Sequence, residues 1–227
     1  MAEANGRLVV LATPIGNLGD LSERAKDCLR EADVVAAEDT RRANKLILHV
    51  GGAASLTRLD DHVPEARLEE VLDAVEAGKL VVFVSDAGVP GISDPGARLV
   101  DRAYERGLCI DSVPGPSSVT NALALSGFYA QRFAFLGFLP RKRSKLEGLL
   151  EPYRDSTFAL VFFDRPERVE RSLEVFESAL GERRVAICRE MTKLHQEVRR
   201  GLLSERGALC AGLRGELTIV VEGKTGG

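Results

Sequence analysis

Apolar and polar positions follow two rhythms along this chain. Leu8–Ala12, Val34–Ala37 and Leu80–Val84 are short unbroken apolar runs, the pattern of strands buried on both faces of a parallel sheet. Between them apolar residues recur at helical spacing. Leu21, Ala25, Cys28, Leu29 and Ala32 share one helical face, and Asp20 with Glu23 predicts a capping box at its start. Leu68, Val71, Leu72 and Val75 mark a second helix, opened by Pro64 and closed at Gly78. Helices over 95–106 and 116–126 flank a strand over 108–113. Strand and helix in strict alternation predict an α/β fold with a parallel sheet.

The second half has a different rhythm. Phe133–Phe138, Thr157–Phe163, Arg184–Arg189, Gln196–Arg200 and Leu217–Val221 read as strands, with helices near 144–154, 166–180 and 204–211. Ser144 and Glu147 suggest a second capping box. The strands near 185 and 197 are close enough for a hairpin, so this sheet should be mixed. The expectation is two α/β domains, 1–115 with a mainly parallel sheet and 116–227 with a mixed one.

Composition narrows the class. In 227 residues, 44% hydrophobic and 29% charged side chains describe a globular chain and exclude a disordered one. Leu8–Ala12 is too short for a membrane span or a signal segment. A cytoplasmic protein is therefore expected, with Cys28, Cys109, Cys188 and Cys210 as reduced, mostly buried thiols lacking CxxC or metal spacing. The net charge of −3 conceals an asymmetry. Residues 1–131 carry 13 basic and 20 acidic side chains, and residues 132–227 carry 18 and 14. The basic half either scatters its charge over solvated faces or meets an anionic partner.

Familiar signatures are missing. No G-x-G-x-x-G follows the first strand, and neither H-E-x-x-H nor G-x-S-x-G occurs. Glu222-Gly-Lys-Thr225 imitates the end of a P-loop, but Thr218 stands where its first glycine belongs. His49, His62 and His195 lack ligand spacing, so no metal is expected. What remains is a set of loops, each following an apolar strand: Ala12-Thr-Pro-Ile-Gly-Asn-Leu18, Ala37-Glu-Asp-Thr-Arg-Arg42, Ser85-Asp-Ala-Gly-Val-Pro-Gly-Ile-Ser-Asp-Pro-Gly96 and Val113-Pro-Gly-Pro-Ser-Ser118. Ligands of open α/β sheets bind at the carboxyl ends of strands. Glycine permits close backbone approach there, and proline fixes the loop shape. Four such loops on successive strand ends predict one small-molecule pocket.

These loops, with Gly137-Phe-Leu-Pro140, Arg189-Glu-Met-Thr-Lys193 and Gly215-Glu-Leu-Thr-Ile-Val-Val-Glu-Gly223, strongly resemble the bacterial small-subunit ribosomal RNA 2′-O-methyltransferase I family, a branch of the tetrapyrrole (corrin/porphyrin) methylases. The matches keep their order over nearly the whole chain. The resemblance implies S-adenosylmethionine as methyl donor in a cleft between two α/β domains. It also implies a homodimer and transfer to the ribose 2′-OH of a decoding-region cytidine of 16S ribosomal RNA in the small subunit. Carried over position by position, the donor-binding residues would be Pro14, then Ser85, Asp86, Ala87, Gly88 and Val89. Ser117, Ser118, Phe163 or Asp164, Met191, and Leu217 or Thr218 would complete them.

A ribose hydroxyl needs a general base within reach. Glu38 and Asp39 are the leading candidates, and their mutual repulsion would raise one pKa if they are partly buried. The competing expectation is that one of them caps the next turn or pairs with Arg41 or Arg42. Lys193, clustered with Glu190 and His195, could hold a phosphate or the ribose hydroxyl. For RNA, Arg41, Arg42, Arg141, Lys142, Arg143 and Lys145 are expected to meet phosphates, joined by Arg183, Arg184, Arg199 and Arg200. No aromatic RNA-recognition signature is present, so base stacking is not readable.

The chain departs from the family where Asp164-Arg-Pro-Glu-Arg168 replaces Glu-Ser-Pro-His-Arg and Leu59-Asp-Asp-His-Val63 replaces Tyr-His-Glu-His-Asn. Family members usually continue into a small helical C-terminal domain, whereas this sequence stops just after its last predicted strand. The runner-up reading is a tetrapyrrole methyltransferase, against which the Ser85-Asp-Ala-Gly88 loop counts, and loss of the acceptor site through these departures would leave an idle adenosylmethionine-binding module.

Overall fold

In the computed structural model, which describes residues 6–60, 62–91 and 96–224, the chain divides into two units, Met1–Ser117 and Ser118–Gly227. The first holds strands β1 (Arg7–Leu11), β2 (Val34–Ala37), β3 (Ser55–Arg58), β4 (Leu80–Val84) and β5 (Cys109–Val113). They form one parallel sheet in the order β3-β2-β4-β1-β5. Helices α1 (Glu23–Glu31), α2 (Thr40–Val50), α3 (Glu65–Glu76) and α4 (Ala97–Glu105) cover it. Val82 and Val84 of β4 pack with Leu29 of α1 and Ile47 of α2. Val81 and Phe83, on the opposite face, pack with Leu72 of α3 and Leu99 of α4. Both faces are buried, which is why β4 reads as a continuous apolar run.

Two elements of this unit lie beyond the sequence expectation. Helix α2 buries Ala43, Leu46, Ile47 and Val50, a helical i, i+3, i+4, i+7 stripe that the adjacent charged loop obscured. Strand β3 is a four-residue edge strand with no fully buried position. Helix α1 also starts differently. Its cap is Ser22, whose hydroxyl accepts the Ala25 N–H, while Asp20 ends a 3₁₀ turn, Leu18–Asp20, capped by Asn17. Pro64 caps α3 from one position outside it.

The second unit holds α5 (Ser118–Ser126), α6 (Arg143–Leu150), α7 (Pro166–Leu180) and α8 (Arg206–Cys210). Its strands are β6 (Phe133–Phe138), β7 (Ala159–Asp164), β8 (Arg184–Arg189), β9 (Glu197–Leu202) and β10 (Leu217–Val221). The sheet order is β6-β7-β10-β8-β9. Only β6 and β7 are parallel, and β8 and β9 form the expected antiparallel pair, so the sheet is mixed. Phe162 of β7 stacks on Phe176 of α7 at 4.6 Å between ring centroids, inside a core shared with Leu150, Ile187 and Ile219. The predicted Ser144 box does not form. Lys142 precedes the first turn of α6 without a side-chain cap, and Ser144 lies inside the helix.

Cys28, Cys188 and Cys210 are buried, Cys109 is exposed, and all four are free thiols. Burial pushes the Cys188 thiol up to about 11, so it stays protonated and unreactive. No helix among the described residues is long and apolar enough to cross a membrane.

Candidate active site

Register aligns the strand ends of the first unit. Leu11 pairs with both Val84 and Val113, and Val84 pairs also with Ala37. β1, β2, β4 and β5 therefore finish level, and their loops leave the sheet side by side. Hydrogen bonds then tie the loops together. Thr13 and Gly88 exchange both backbone N–H···O bonds, at 2.9 and 3.1 Å. The Thr13 hydroxyl donates to the Ser85 carbonyl at 3.2 Å. One carboxylate oxygen of Asp86 accepts the Asp39 N–H at 3.2 Å, and the other pairs with Arg42 at 3.3 Å.

Gly88 is where three of these loops meet. Its φ is +88°, and an added Cβ would lie 3.2 Å from the Pro116 carbonyl oxygen and 3.3 Å from Ile15. A side chain there is both strained and crowded. Below it, Pro14, Ala37, Asp39, Ser85 and Asp86 help to line a cavity of about 240 Å³. A larger hollow of about 810 Å³ lies in the second unit beside Glu147, Glu151 and Arg154, but the residues that line it are exposed or half-buried. Convergent loops identify a site better than volume does. Ile92, Ser93, Asp94 and Pro95 of the third loop lie outside the described residues, as do Asp61 and Thr225.

Asp39 caps α2. Its carboxylate accepts the Arg41 N–H at 2.9 Å and two guanidinium bonds from the same residue, at 3.0 and 2.7 Å. Those bonds from Arg41, side chain first and backbone second, hold its carboxyl far below the usual range. The rise expected from repulsion by Glu38 does not occur at Asp39, where burial opposes the Arg41 bonds and they outweigh it. Glu38 is half-buried directly after β2. Asp60 likewise serves a local turn, accepting the His62 N–H at 2.9 Å and pairing with Arg58.

In the second unit, Leu217 pairs with Asp164 and Arg189, and Thr218 with Phe163 and Cys188. The ends of β7 and β8 therefore sit level with the start of β10. Ser118 begins α5, and Asn121 from the same helix donates to the Met191 sulfur at 3.6 Å. Met191 is buried between two non-glycine residues at positive φ, Glu190 (48°) and Thr192 (64°), an arrangement that persists only where surroundings enforce it. Here Glu190 is enforced by accepting the Glu216 N–H at 2.8 Å and a Lys193 bond at 3.1 Å. Lys193 also reaches Glu216 at 2.8 Å. Burial opposes the Lys193 charge, but the Glu216 and Glu190 carboxylates outweigh it and hold the ammonium above the ordinary lysine range. Lys193 is thus a fixed positive charge and not a proton acceptor. His195 is exposed and only lends its carbonyl to Arg189.

The Asp164 carboxylate turns inward. Its side chain is fully buried and accepts from Arg168 at 2.6 Å, the Arg165 N–H at 2.8 Å and the Ser172 hydroxyl at 2.5 Å. The basic strip is shorter than expected. Arg183 is buried against the carbonyls of Leu180, Arg154 and Glu222. Arg184 pairs with Glu222, and Arg199 holds the carbonyls of Leu209 and Ala211. Arg141, Lys142, Arg143 and Lys145 are exposed; Arg143 is paired with Glu147 and Glu174, and the other three make no ion pair among the described residues. Arg41 and Arg42 are exposed beside the first unit's loops.

A sequence-family model for tetrapyrrole (corrin/porphyrin) methylases matches residues 7–206. A Thermotoga maritima protein called ribosomal RNA small subunit methyltransferase I is 42% identical over 96% of this chain and 99% of its own length. A Mycobacterium tuberculosis protein of the same name is 44% identical over 97% of this chain and 79% of its own. Among solved structures, a cobalt precorrin-4 methyltransferase superposes with a TM-score of 0.70 at 19% identity, covering 98% of this chain and 97% of that one. A diphthine synthase gives 0.72 at 16%, covering 95% and 90%. At such identities these structures speak to the fold alone. The loop architecture and the relatives agree: the chain belongs to the tetrapyrrole (corrin/porphyrin) methylases, among the ribosomal RNA small subunit methyltransferases I, and is an S-adenosylmethionine-dependent methyltransferase.

Proposed function

We propose that this chain moves the methyl group of S-adenosylmethionine to the ribose 2′-OH of a cytidine in 16S ribosomal RNA, as a cytoplasmic homodimer. The names of its relatives support an RNA acceptor. The observation that carries the reading is the junction at Gly88, where loops from β1, β4 and β5 close on one glycine. The residues fit such a donor. A cradle that a Cβ would fill brings backbone amides and carbonyls within reach of a ligand, beside the buried Ser85 and the carboxylate of Asp86. The cavity's 240 Å³ is room for one end of that molecule rather than the whole.

In this reading Pro14, Ser85, Asp86, Ala87, Gly88, Val89 and Ser117 hold the donor from the first unit. By the family resemblance Ser118, Phe163, Met191, Leu217 and Thr218 are proposed as further donor contacts, with the Asp164 carboxylate positioning the end of β7. The bound donor supplies an electrophilic methyl group, so the protein's tasks are alignment and removal of one proton. Glu38 is the proposed base that takes the 2′-OH proton. Asp39 shapes its loop by capping α2, and Lys193 offers a fixed charge to the acceptor. Arg41, Arg42, Arg141, Lys142, Arg143 and Lys145 would neutralise phosphates.

The test is nucleoside mass analysis of 16S ribosomal RNA from cells without the gene. Loss of one 2′-O-methylcytidine is the expected result. Unchanged RNA with altered corrinoids would replace the reading with tetrapyrrole methylation, and no change in either would leave a donor-binding module.

A further inference from the structure

We infer that Phe138 is a stacking platform for a base of single-stranded RNA, with Arg141, Lys142 and Lys145 taking the neighbouring phosphates. This rests on the proposal that the acceptor is RNA. The edge strand β6 carries a bulge. Phe135 pairs with Val161 and Phe138 with Phe163, so three steps along β6 match two along β7. Gly137, at φ +62°, sits within that irregularity.

Alternation explains what the bulge does. Ala134 and Leu136 pack against the core of the second unit, and in an unbroken strand Phe138 would follow them inward. The extra residue turns it to the opposite face instead. There its ring lies 5.3 Å from Phe163, which in turn meets Phe135 edge-on at 5.0 Å. Phe138 is still 64% exposed. A large aromatic ring is thus braced by its neighbours and presented to solvent by a backbone irregularity of the kind that re-aims side chains.

The surrounding charge identifies the occupant. Arg141 is three residues beyond Phe138, within about 11 Å along the chain. Arg141, Lys142 and Lys145 are exposed and make no ion pair among the described residues, whereas Arg143 is anchored by Glu147 and Glu174. Aromatic rings beside unpaired cations are what single-stranded nucleic-acid grooves are built from. A second copy of the chain fits less well, because a two-fold contact centred on Phe138 would bring two cationic rims together. Phe163 is among the residues proposed to touch the donor, so a base held on Phe138 brings its strand to that end of β7.

The chain contains no tryptophan, so Phe138→Trp creates a single reporter in the full-length protein. Titration with a short single-stranded oligoribonucleotide should quench its fluorescence, and the same sequence in a duplex should not. Phe138→Ala and Phe138→Leu, checked for native circular dichroism, should each weaken single-strand binding by about 5- to 150-fold. Wild-type affinity in both variants, or an unquenched tryptophan at saturating RNA, overturns the stacking while the RNA reading stands. If the wild-type chain binds neither this RNA nor small-subunit RNA, both fail. A change of sedimentation from dimer to monomer in Phe138→Ala would assign this face to a second copy and overturn the inference.

Discussion

Replacing Asp164 by alanine separates a structural carboxylate from a ligand-binding one. The side chain is wholly buried, Arg168 is 27% exposed, and the carboxylate also accepts the Arg165 N–H and the Ser172 hydroxyl. Removing it strands the Arg168 charge, the Arg165 N–H at the start of α7 and the Ser172 hydroxyl in its middle. Breaking a buried ion pair costs about 3–5 kcal/mol. Because Arg168 keeps part of its hydration, the lower end, about 3 kcal/mol, is expected. For a chain of this size that corresponds to a fall of about 6–12 °C in thermal midpoint. Asp164→Asn keeps the shape and most hydrogen bonds but loses the charge, and should cost about 1–2 kcal/mol. The assay is urea denaturation followed by far-ultraviolet circular dichroism, with adenosylmethionine affinity measured by calorimetry well below the midpoint. Wild-type stability combined with lost donor binding in Asp164→Ala would refute the structural role.

Three further outcomes follow from the same geometry. Gly88→Ala places a side chain at φ +88° against Pro116 and Ile15; it should cost about 1–2 kcal/mol from backbone strain alone and abolish the rise in thermal midpoint on adding adenosylmethionine, and an undiminished rise would remove Gly88 from the donor site. Glu38→Gln should slow single-turnover methyl transfer by about 10²- to 10⁴-fold with donor affinity kept, whereas Asp39→Asn, still a good helix cap, should keep most of the rate; equal rates in Glu38→Gln and wild type would dismiss the base. Lys193 has its folded pKa raised, so its cluster contributes stability that is complete below about pH 10 and is lost as pH rises through the folded value. The gap in denaturation midpoint between wild type and Lys193→Met should therefore stay constant at neutral pH and shrink only in strong alkali; a gap that closes near neutrality would show that Lys193 loses its proton there.

The architecture was legible wherever burial wrote itself into a period. β4 is covered on both faces and appears as five consecutive apolar residues; α7 carries its stripe from Val169 to Leu180. The short edge strand β3, with no buried side chain, leaves no such trace. Caps were misplaced because capping depends on which of several adjacent polar residues reaches a free N–H, and Ser22 rather than Asp20 does so. The candidate site was legible as four loops after apolar runs, three of them carrying glycine and proline. Their joining at Gly88 and through Asp86 was not, since it depends on strands 47 or more residues apart finishing level. Charge runs misled for a related reason. Arg183 looks like surface in a sequence, yet it is buried and its guanidinium donates to three backbone carbonyls. The Phe138 bulge is invisible without the pairing of β6 to β7, because its residues alternate normally up to Leu136.

The central claim is tested most directly by incubating the purified chain with methyl-labelled S-adenosylmethionine and small ribosomal subunits, then digesting the 16S RNA to nucleosides for mass analysis. Label is expected in a single species, 2′-O-methylcytidine, and should be lost in Gly88→Ala. Label on a base, or transfer to a tetrapyrrole in place of RNA, would contradict the claim.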